Sequence, residues 1–401
     1  MKLLSDLSRN ARNCLMFEPL KAICLGMVAF YLPLYMKAVG LSEIQMGFIN
    51  SFAIFLGVAV VFFCGALINR LGRKMSTLVF DIFSSAVPML IWAFASNFWY
   101  FLIAASINTF VKISSVAWSC LMNEDTEPSK RSKIFAILNV LFPASGFFTV
   151  IMGFLFVKFG IIATMRTAYI IGAFVLILLF IARNMLVRET EVGAELMKSS
   201  SSEPFLVNIR FYLRTILDIL KNRSLIFIII IYLVSYYVTT INFFQVIYLT
   251  ARLGFSTQVI SFIPFANAAV NILLFAAVFR RLSRYPDEKV LLFAIIVSAS
   301  GALCFILIPA GSIVILFLSV ILLAVGNYFV QIYRESIFIN KMGRYDKANA
   351  LSAMQMFNSL LSMPSGFLGG LAYSINPVLP FVIIFILLLG IVPVAFRVSA
   401  T

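Results

Sequence analysis

The sequence predicts an all-α membrane protein whose twelve transmembrane helices form two pseudo-symmetric six-helix bundles. About twelve apolar stretches each approach the ~20 residues that a helix needs to cross a bilayer, and they form two sets of six around one polar segment, 186–222. Apolar residues make up 62% of the chain and charged residues 12%, so lipid must cover part of this surface. The stretches 225–249 and 378–396 are apolar without the alternation of barrel strands, which favours helices.

The predicted elements follow from this hydropathy in chain order. The spans are 14–37, 43–69, 75–96, 98–122, 134–157, 160–182, 224–249, 256–279, 289–310, 312–335, 349–373 and 377–396. The polar segment divides the chain into an N-terminal six-helix bundle (1–185), a cytoplasmic linker (186–222) and a C-terminal six-helix bundle (223–401). Between 209 and 221, apolar residues recur at helical spacing beside basic ones, which predicts an amphipathic helix on the lipid surface.

The basic residues predict the orientation of the chain. Nearly all of them fall on segments of one side, and only Lys37, Lys158, Arg166 and Arg252 fall on the other. By the positive-inside rule, both termini and the linker are cytoplasmic. The net charge of +15 then reflects topology, so nucleic acid is not an expected partner. We expect a monomeric multi-pass protein of the cell membrane, such as a bacterial inner membrane, whose partners are lipid and a small solute.

The residue inventory argues against several kinds of chemistry. The chain has no His, which removes the commonest general base and metal ligand. Its five Cys are scattered without a C-x-x-C pair, so disulfide, zinc and redox roles lack support. No G-x-x-x-x-G-K-[ST] phosphate loop occurs, which argues against transport driven by ATP within this chain. We therefore expect neither a cofactor nor an enzyme.

A short repeat relates the two halves of the chain. One constant shift along the sequence superposes Arg70, Arg73 and Glu124 on Arg281, Arg284 and Glu335. These residues lie at corresponding points of the two predicted bundles. Two related bundles with an interface between them suit alternating access, because one bundle can rock against the other around a central site.

The loop after the second span carries a family signature. The residues Gly65-x-x-x-Asn69-Arg70-x-Gly72-Arg73-Lys74 resemble the loop signature G-x-x-x-D-R-x-G-R-[RK] of the major facilitator superfamily, with Asn69 in place of Asp. The resemblance, together with the six-plus-six layout, covers essentially the whole chain and implies secondary transport.

The charges of this loop predict a cytoplasmic gate. An Arg73–Glu124 bridge would close the cytoplasmic side, and Arg284–Glu335 would repeat it in the other half. The gate residues are Asn69, Arg70, Arg73, Glu124, Arg281, Arg284 and Glu335. The alternative is that these are solvated charges that fix orientation.

The resemblance also indicates which spans line the substrate cavity, namely the first, fourth, seventh and tenth. In the fourth span, Asn108, Lys112 and Ser115 share one helix face, and Lys112 would attract an anionic or hydrogen-bonding group. The other cavity candidates are Tyr236, Thr240, Asn327, Gln331, Asn139 and Asn358, with Asn242, Gln245, Asn267, Asn271 and Tyr328 as further polar residues of these and neighbouring spans. The alternatives are that Lys112 pairs with Asp81 or Glu18, and that the polar residues join helix to helix.

Proton coupling needs a membrane-embedded carboxylate whose pKa burial can move. Glu18 and Asp81 are the candidates, and Glu18 comes first because the first span faces the cavity in this superfamily. Lys21 follows Glu18 by three residues and can pair with it on one helix face. Because both carboxylates lie toward the cytoplasmic ends of their spans, snorkelling to water is the alternative.

The sequence thus predicts a secondary transporter of a small solute, coupled to protons and working by alternating access, with efflux favoured over uptake. Two other classes stay open. One is a transporter-like membrane enzyme that acts on lipid, which the missing His and missing clusters of interfacial carboxylates disfavour. The other is a sensor or scaffold that keeps the fold without transport, for which Asn69 is the hint.

Overall fold

The computed structural model describes residues 7–199, 223–278, 285–341 and 347–400, and all regular secondary structure in these ranges is helical. Ten of the described helical segments are long and apolar enough to cross a bilayer. An eleventh results if the bent pair Arg9–Ala29 and Leu32–Val39 forms one span. The prediction of a multi-pass, all-α membrane protein is therefore confirmed. The predicted amphipathic helix between 209 and 221 lies outside the described residues.

The chain forms two compact units. The first contains 7–41 and 52–199, and the second contains 42–51 together with the described residues from 223 onward. The N-terminal half supplies α1 (Arg9–Ala29), α2 (Leu32–Val39), α3 (Glu43–Leu71), α4 (Arg73–Asp81), α5 (Val87–Ala93), α6 (Phe98–Asn108), α7 (Val111–Asn123), α8 (Pro128–Ala144), α9 (Thr149–Phe159), α10 (Ile161–Leu186) and α11 (Glu191–Ser199). The C-terminal half supplies α12 (Arg223–Ile241), α13 (Thr257–Leu273), α14 (Asp287–Ile306), α15 (Ile313–Lys341), α16 (Lys347–Ser362), α17 (Pro364–Ile375) and α18 (Leu379–Ala400).

Breaks interrupt several of the predicted spans, including the first and the eleventh. The first span bends by 42° between α1 and α2. Beyond the bend, the hydroxyl of Tyr31 donates to the carbonyl of Thr149 at 2.9 Å, and that of Tyr35 donates to the carbonyl of Trp92 at 2.8 Å. The span predicted at 349–373 is divided at Met363 into α16 and α17, because Pro364 lacks the N–H that a continuous helix would use and suits a first turn.

The turn from α3 to α4 is a single residue, Gly72. Its φ is +79°, a conformation that a residue with a Cβ rarely adopts. A Cβ at Gly72 would also lie 2.5 Å from the Glu189 carboxylate. This glycine therefore permits both the tight reversal and the close approach of the chain that follows α10.

In the described parts of the chain, three π-helical turns interrupt the spans, at Ile82–Ala86, Tyr248–Arg252 and Leu274–Val278. A π turn shifts the hydrogen-bond ladder by one residue and can leave a carbonyl for another donor. In the first of these turns, the Ser84 carbonyl accepts the side-chain amide of Asn108 at 2.7 Å. The chain directly after α12 is irregular as well. There, a 3₁₀ turn at Asn242–Phe244 precedes the π turn at Tyr248–Arg252.

The helix of the sixth span is longer than the span that the sequence predicts. Residues 160–182 were expected to span, whereas α10 continues to Leu186. Arg183 therefore belongs to the helix, and only 1% of its surface is exposed. The prediction stopped before Arg183 because a charged residue at the end of an apolar run normally marks the interface.

Candidate functional site

A polar cavity of about 210 Å³ lies within the second unit. Three helical segments line it, namely α13, α15 and the irregular stretch after α12. The lining residues are Asn242, Gln245, Ile263, Asn267, Asn271, Val320, Leu323, Ala324, Asn327, Tyr328 and Gln331. Six of these eleven side chains are carboxamides, and none carries a charge.

Helical spacing explains how the carboxamides meet. Asn267 and Asn271 are four residues apart on α13, and Asn327 and Gln331 are four apart on α15, so each pair lies on one helix face. Asn242 opens the 3₁₀ turn after α12 and Gln245 follows it. The apolar lining residues Ile263, Val320, Leu323 and Ala324 complete the cavity.

The hydrogen-bonding capacity of the cavity is largely unused. Within the described parts of the chain, none of the six carboxamides is hydrogen-bonded, and the Oδ1 atom of Asn271 is buried without a partner. Gln245 is only 8% exposed. Asn327 and Gln331 are exposed, whereas Gln245 is buried and the Asn271 oxygen lacks the partner that a buried polar atom in a protein almost always has. This unpaired atom, together with five more carboxamides around the same space, indicates a place for a hydrogen-bonding ligand.

The nearest charged residue along α15 points elsewhere. Arg334 follows Gln331 by three residues, but its guanidinium carbon lies 4.4 Å from the ring centroid of Tyr232. The guanidinium thus stacks on Tyr232, which does not line the cavity, and its Nε atom is buried without a hydrogen bond in the described structure. The cavity is therefore polar and uncharged.

The other cavity candidates of the C-terminal half lie outside this lining. The hydroxyl of Thr240 donates to the carbonyl of Tyr236 at 2.9 Å within α12. Asn358 is fully buried in α16, where its amide donates to the Met354 carbonyl at 3.1 Å. Of the predicted residues in this half, the structure brings Asn327 and Gln331 together in the cavity.

The fourth-span candidates occupy a different environment, in the first unit. A break at Thr109 and Phe110 separates α6 from α7, and Lys112 and Ser115 are exposed on α7. Asn108 is already bonded to Ser84 across the π turn. Among the described residues, Lys112 has no carboxylate partner. The Asn139 side chain lies outside what the structure describes.

The first unit contains two ion pairs whose members are buried except for the partly exposed Lys21. Arg183 Nη2 lies 2.6 Å from Asp81 Oδ2, and their side chains are 1% and 2% exposed. Lys21 Nζ lies 3.4 Å from Glu18 Oε1, and Glu18 is 1% exposed. Glu18 and Asp81, the alternative partners suggested for Lys112, are thus paired with other residues. The Glu18 Oε2 atom and the Arg183 Nε and Nη1 atoms are buried without partners in the described structure.

The residues of the predicted gate around Arg73 are in contact. Arg73 Nε and Nη2 each lie 3.2 Å from Glu124 Oε1, and Arg73 Nη1 donates to Asn69 Oδ1 at 3.0 Å. Arg70 is exposed at the end of α3. In the other half, Glu335 is exposed on α15, whereas Arg281 and Arg284 lie outside the described residues.

Two residues after α10 complete this cluster, and the sequence analysis missed them. The Glu189 carboxylate accepts the backbone N–H groups of Arg73 at 2.8 Å and Lys74 at 2.9 Å. The Thr190 hydroxyl donates to Glu124 Oε2. No local signal predicts these contacts, since both residues lie more than sixty positions from their partners. The cap is physically reasonable because the first N–H groups of a helix lack partners within the helix.

Asp125 lies next to this cluster, beyond the end of α7. Its carboxylate accepts the Asn10 side-chain amide at 3.0 Å. Burial raises the pKa of Asp125, and the bond from Asn10 lowers it in part. Asn10 also donates to the Arg188 carbonyl at 3.0 Å, so the start of α1, the end of α7 and the chain after α10 meet here.

Comparisons with known proteins agree with this architecture. The sequence profile of the Major Facilitator Superfamily matches residues 20–366. The nucleoside transporter NupG is similar in structure with a TM-score of 0.72 and 16% identity, over 98% of this chain and 99% of that chain. A mutant of the peptide transporter POT in complex with sulfate gives a TM-score of 0.71 and 16% identity, over 96% and 94%. No curated protein sequence matches the chain. The family profile covers most of its length, so this protein belongs to the major facilitator superfamily.

Proposed function

We propose that the protein is a secondary active transporter that moves a small solute by alternating access, and that the carboxamide cavity of the second unit is part of its solute site. The observation that carries this proposal is the set of six unbonded carboxamides around one space. A polar group in a membrane bundle normally bonds to a neighbouring helix. A transport site must instead keep its polar groups available, because the solute bonds to them and leaves again.

The buried charges support coupling to protons. Asp81 forms a buried ion pair with Arg183 at 2.6 Å, and loss of its charge would leave the buried guanidinium without a partner. Glu18 has only the longer contact to Lys21, and its second oxygen is buried without a partner among the described residues. A proton on that oxygen would remove the cost of burying the charge. Of the two candidate carboxylates, we therefore assign proton binding to Glu18 and a structural role to Asp81.

The Arg73 cluster supports a gate on the cytoplasmic side. Arg73 bonds to both Glu124 and Asn69, and the charge-assisted bonds between Arg and carboxylate are stronger than neutral ones. Residues at the start of a short helix that follows a one-residue turn move with that turn. Breaking the contact between Arg73 and Glu124 would therefore release the start of α4. We propose that it does so as the cytoplasmic side opens.

Direction and coupling can be tested together in proteoliposomes. A vesicle is loaded with a mixture of labelled neutral, cationic and anionic solutes, and an inward proton gradient is imposed. Antiport predicts that one of these solutes leaves while internal pyranine reports acidification. In a second experiment the labelled mixture is placed outside, where uptake in the same direction as the protons would instead indicate symport and contradict the efflux assignment.

The Glu18 assignment has a matched control. Glu18→Gln should abolish flux driven by the proton gradient but retain exchange of labelled against unlabelled solute, because exchange needs no net proton movement. Glu195→Gln makes the same change at an exposed position of α11 and should alter neither. Normal gradient-driven flux in Glu18→Gln would contradict the assignment.

A protein that moves no solute but releases a lipid-derived product would support the membrane enzyme instead.

A further inference from the structure

The chemistry of the cavity restricts the class of solute. We propose that it binds a neutral solute with several hydroxyl or amide groups and an apolar face, as in a sugar or a nucleoside. This inference rests on the proposed transport function and deepens it. It follows from the lining residues, namely six carboxamides, one phenol and four aliphatic side chains.

The absence of charge from the lining argues against an ionised solute. An ion that enters the cavity would lose water without meeting an opposite charge, and this loss is costly in a partly buried site. Arg334, the nearest cation along α15, is engaged with the ring of Tyr232 at 4.4 Å. Lys112 lies on α7 in the first unit and is not one of the lining residues, so it adds no charge to this cavity.

Carboxamides suit a solute that both donates and accepts. Each carboxamide offers two N–H donors and one oxygen acceptor, so pairs such as Asn267 with Asn271, or Asn327 with Gln331, can bond to adjacent hydroxyls or to an amide edge. A site that is built to hydrogen-bond discriminates strongly against analogues that lack those groups, because its own polar atoms are then left unpaired.

The aliphatic lining accounts for the second part of the proposal. Ile263, Val320, Leu323 and Ala324 provide no hydrogen bonds and would leave a fully hydrated solute surface without partners. A solute that places C–H groups or a ring face against them fills the cavity without that loss. Sugars and nucleosides share this combination of polar groups and an apolar face.

Matched pairs of ligands test the charge rule. The purified full chain is heated with each of a hexose, the corresponding hexuronate and the corresponding amino sugar, and with a nucleoside and its 5′-monophosphate. A ligand that binds the folded state raises the melting temperature by mass action. We expect stabilisation by the neutral member of at least one series and at least tenfold weaker binding of its charged partners. The responding series distinguishes a sugar from a nucleoside.

A matched pair of variants locates the binding to the cavity. Gln331→Glu places a carboxylate in the lining, whereas Gln258→Glu makes the same change in the first turn of α13, outside the lining. We expect Gln331→Glu to weaken binding of the neutral ligand at least tenfold and Gln258→Glu to leave it unchanged. Asn267→Asp serves as a second cavity variant if Gln331→Glu does not fold, as judged by its melting transition without ligand.

Three outcomes would overturn the proposal. One is a charged partner that binds as tightly as its neutral counterpart, and another is equal binding by the cavity and control variants. The third is that no neutral member of either series binds. Vesicle flux of solutes from other classes then separates the two levels of the argument. Flux of an amino acid or an organic cation would support the transport function and contradict only the proposed solute class. Absence of flux for every solute would contradict both the transport function and the solute class.

Discussion

Glu189 caps the helix that begins with Arg73. Its Oε1 atom accepts the backbone N–H of Arg73 at 2.8 Å, while the Arg73 guanidinium reaches Glu124 at 3.2 Å. One residue is thus held at its backbone by the chain after α10 and at its side chain by the end of α7. Because Gly72 gives α4 no side-chain cap of its own, Glu189 supplies the cap from the far end of the first unit.

Removal of this cap should destabilise the first unit. Glu189→Gln removes the negative charge from the N-terminus of α4 and weakens two backbone hydrogen bonds, so we expect a loss of about 1–2 kcal/mol in the free energy of unfolding. Thermal unfolding in detergent measures this loss. Glu195→Gln, at an exposed position of α11, is the control and should cost less than about 0.5 kcal/mol. Equal effects of the two variants would show that the cap contributes little.

Breaking the buried pair of Arg183 and Asp81 should greatly lower the free energy of unfolding, whereas replacing both residues by apolar ones should lower it little. Asp81→Asn leaves a buried guanidinium without its partner and should cost about 3–5 kcal/mol, whereas the double variant Asp81→Leu with Arg183→Met should recover most of that stability. The melting temperatures of the purified variants measure both effects.

The exposed pair of Lys130 and Glu127 is the control for this cycle. The Lys130 and Glu127 side chains are 34% and 67% exposed, and Lys130 Nζ lies 3.1 Å from Glu127 Oε2. Glu127→Gln should therefore cost less than about 1 kcal/mol. A double variant no more stable than Asp81→Asn would mean that Arg183 contributes through packing as well as through its charge.

Neutralisation of Glu124 should favour opening of the cytoplasmic side. Glu124→Gln removes the charge from a carboxylate that accepts from both Arg73 and Thr190. Spin-label distances across the cytoplasmic ends of the helices should therefore shift toward longer values. The exchange of Arg73→Glu with Glu124→Arg should restore part of the original distribution, and unchanged distances in both single variants would leave these residues only a topological role.

Lys112 should matter for ligand binding rather than for stability. No described carboxylate pairs with it, so Lys112→Ala should change the free energy of unfolding by less than about 0.5 kcal/mol. If Lys112 contacts the solute, the same variant should lose the stabilisation that the ligand confers on the wild type. Lys198→Ala, at an exposed position of α11, should retain it. A large destabilisation that Glu18→Gln or Asp81→Asn rescues would instead reveal a structural partner.

The orientation of the chain can be checked without knowledge of the solute. In a background without the five native cysteines, labels at Arg131 and Glu195 should react only from the cytoplasmic side, and labels at Ser96 and Thr257 only from outside. Gly72 is unsuitable for a label, since its φ of +79° and the nearby Glu189 disfavour any side chain. Reversed labelling would refute the assignment from the basic residues.

The all-α membrane class, most of the spans and the family were readable from the sequence, whereas the orientation stays a prediction. Hydropathy is a property of about 20 consecutive residues, so it predicts a span without knowledge of its neighbours. The helix Glu43–Leu71 appears within a few residues of the predicted 43–69, and the single-residue turn at Gly72 follows the signature that indicated it. Asn327 and Gln331 stay cavity candidates, which the resemblance indicated because it places the tenth span at the cavity.

The sites themselves depend on contacts between distant parts of the chain. A sequence shows where carboxamides lie, but not that Asn242, Asn267 and Asn327 share a space and remain unbonded. Arg183 resembled an interfacial charge until packing of α10 placed it against Asp81, 102 positions away. Glu189 lies in the predicted linker, and only the structure shows that it bonds to the start of α4. Side-chain chemistry is local, whereas burial and partnership arise only when the helices pack, and packing decides which polar residues support the fold and which remain free for a ligand.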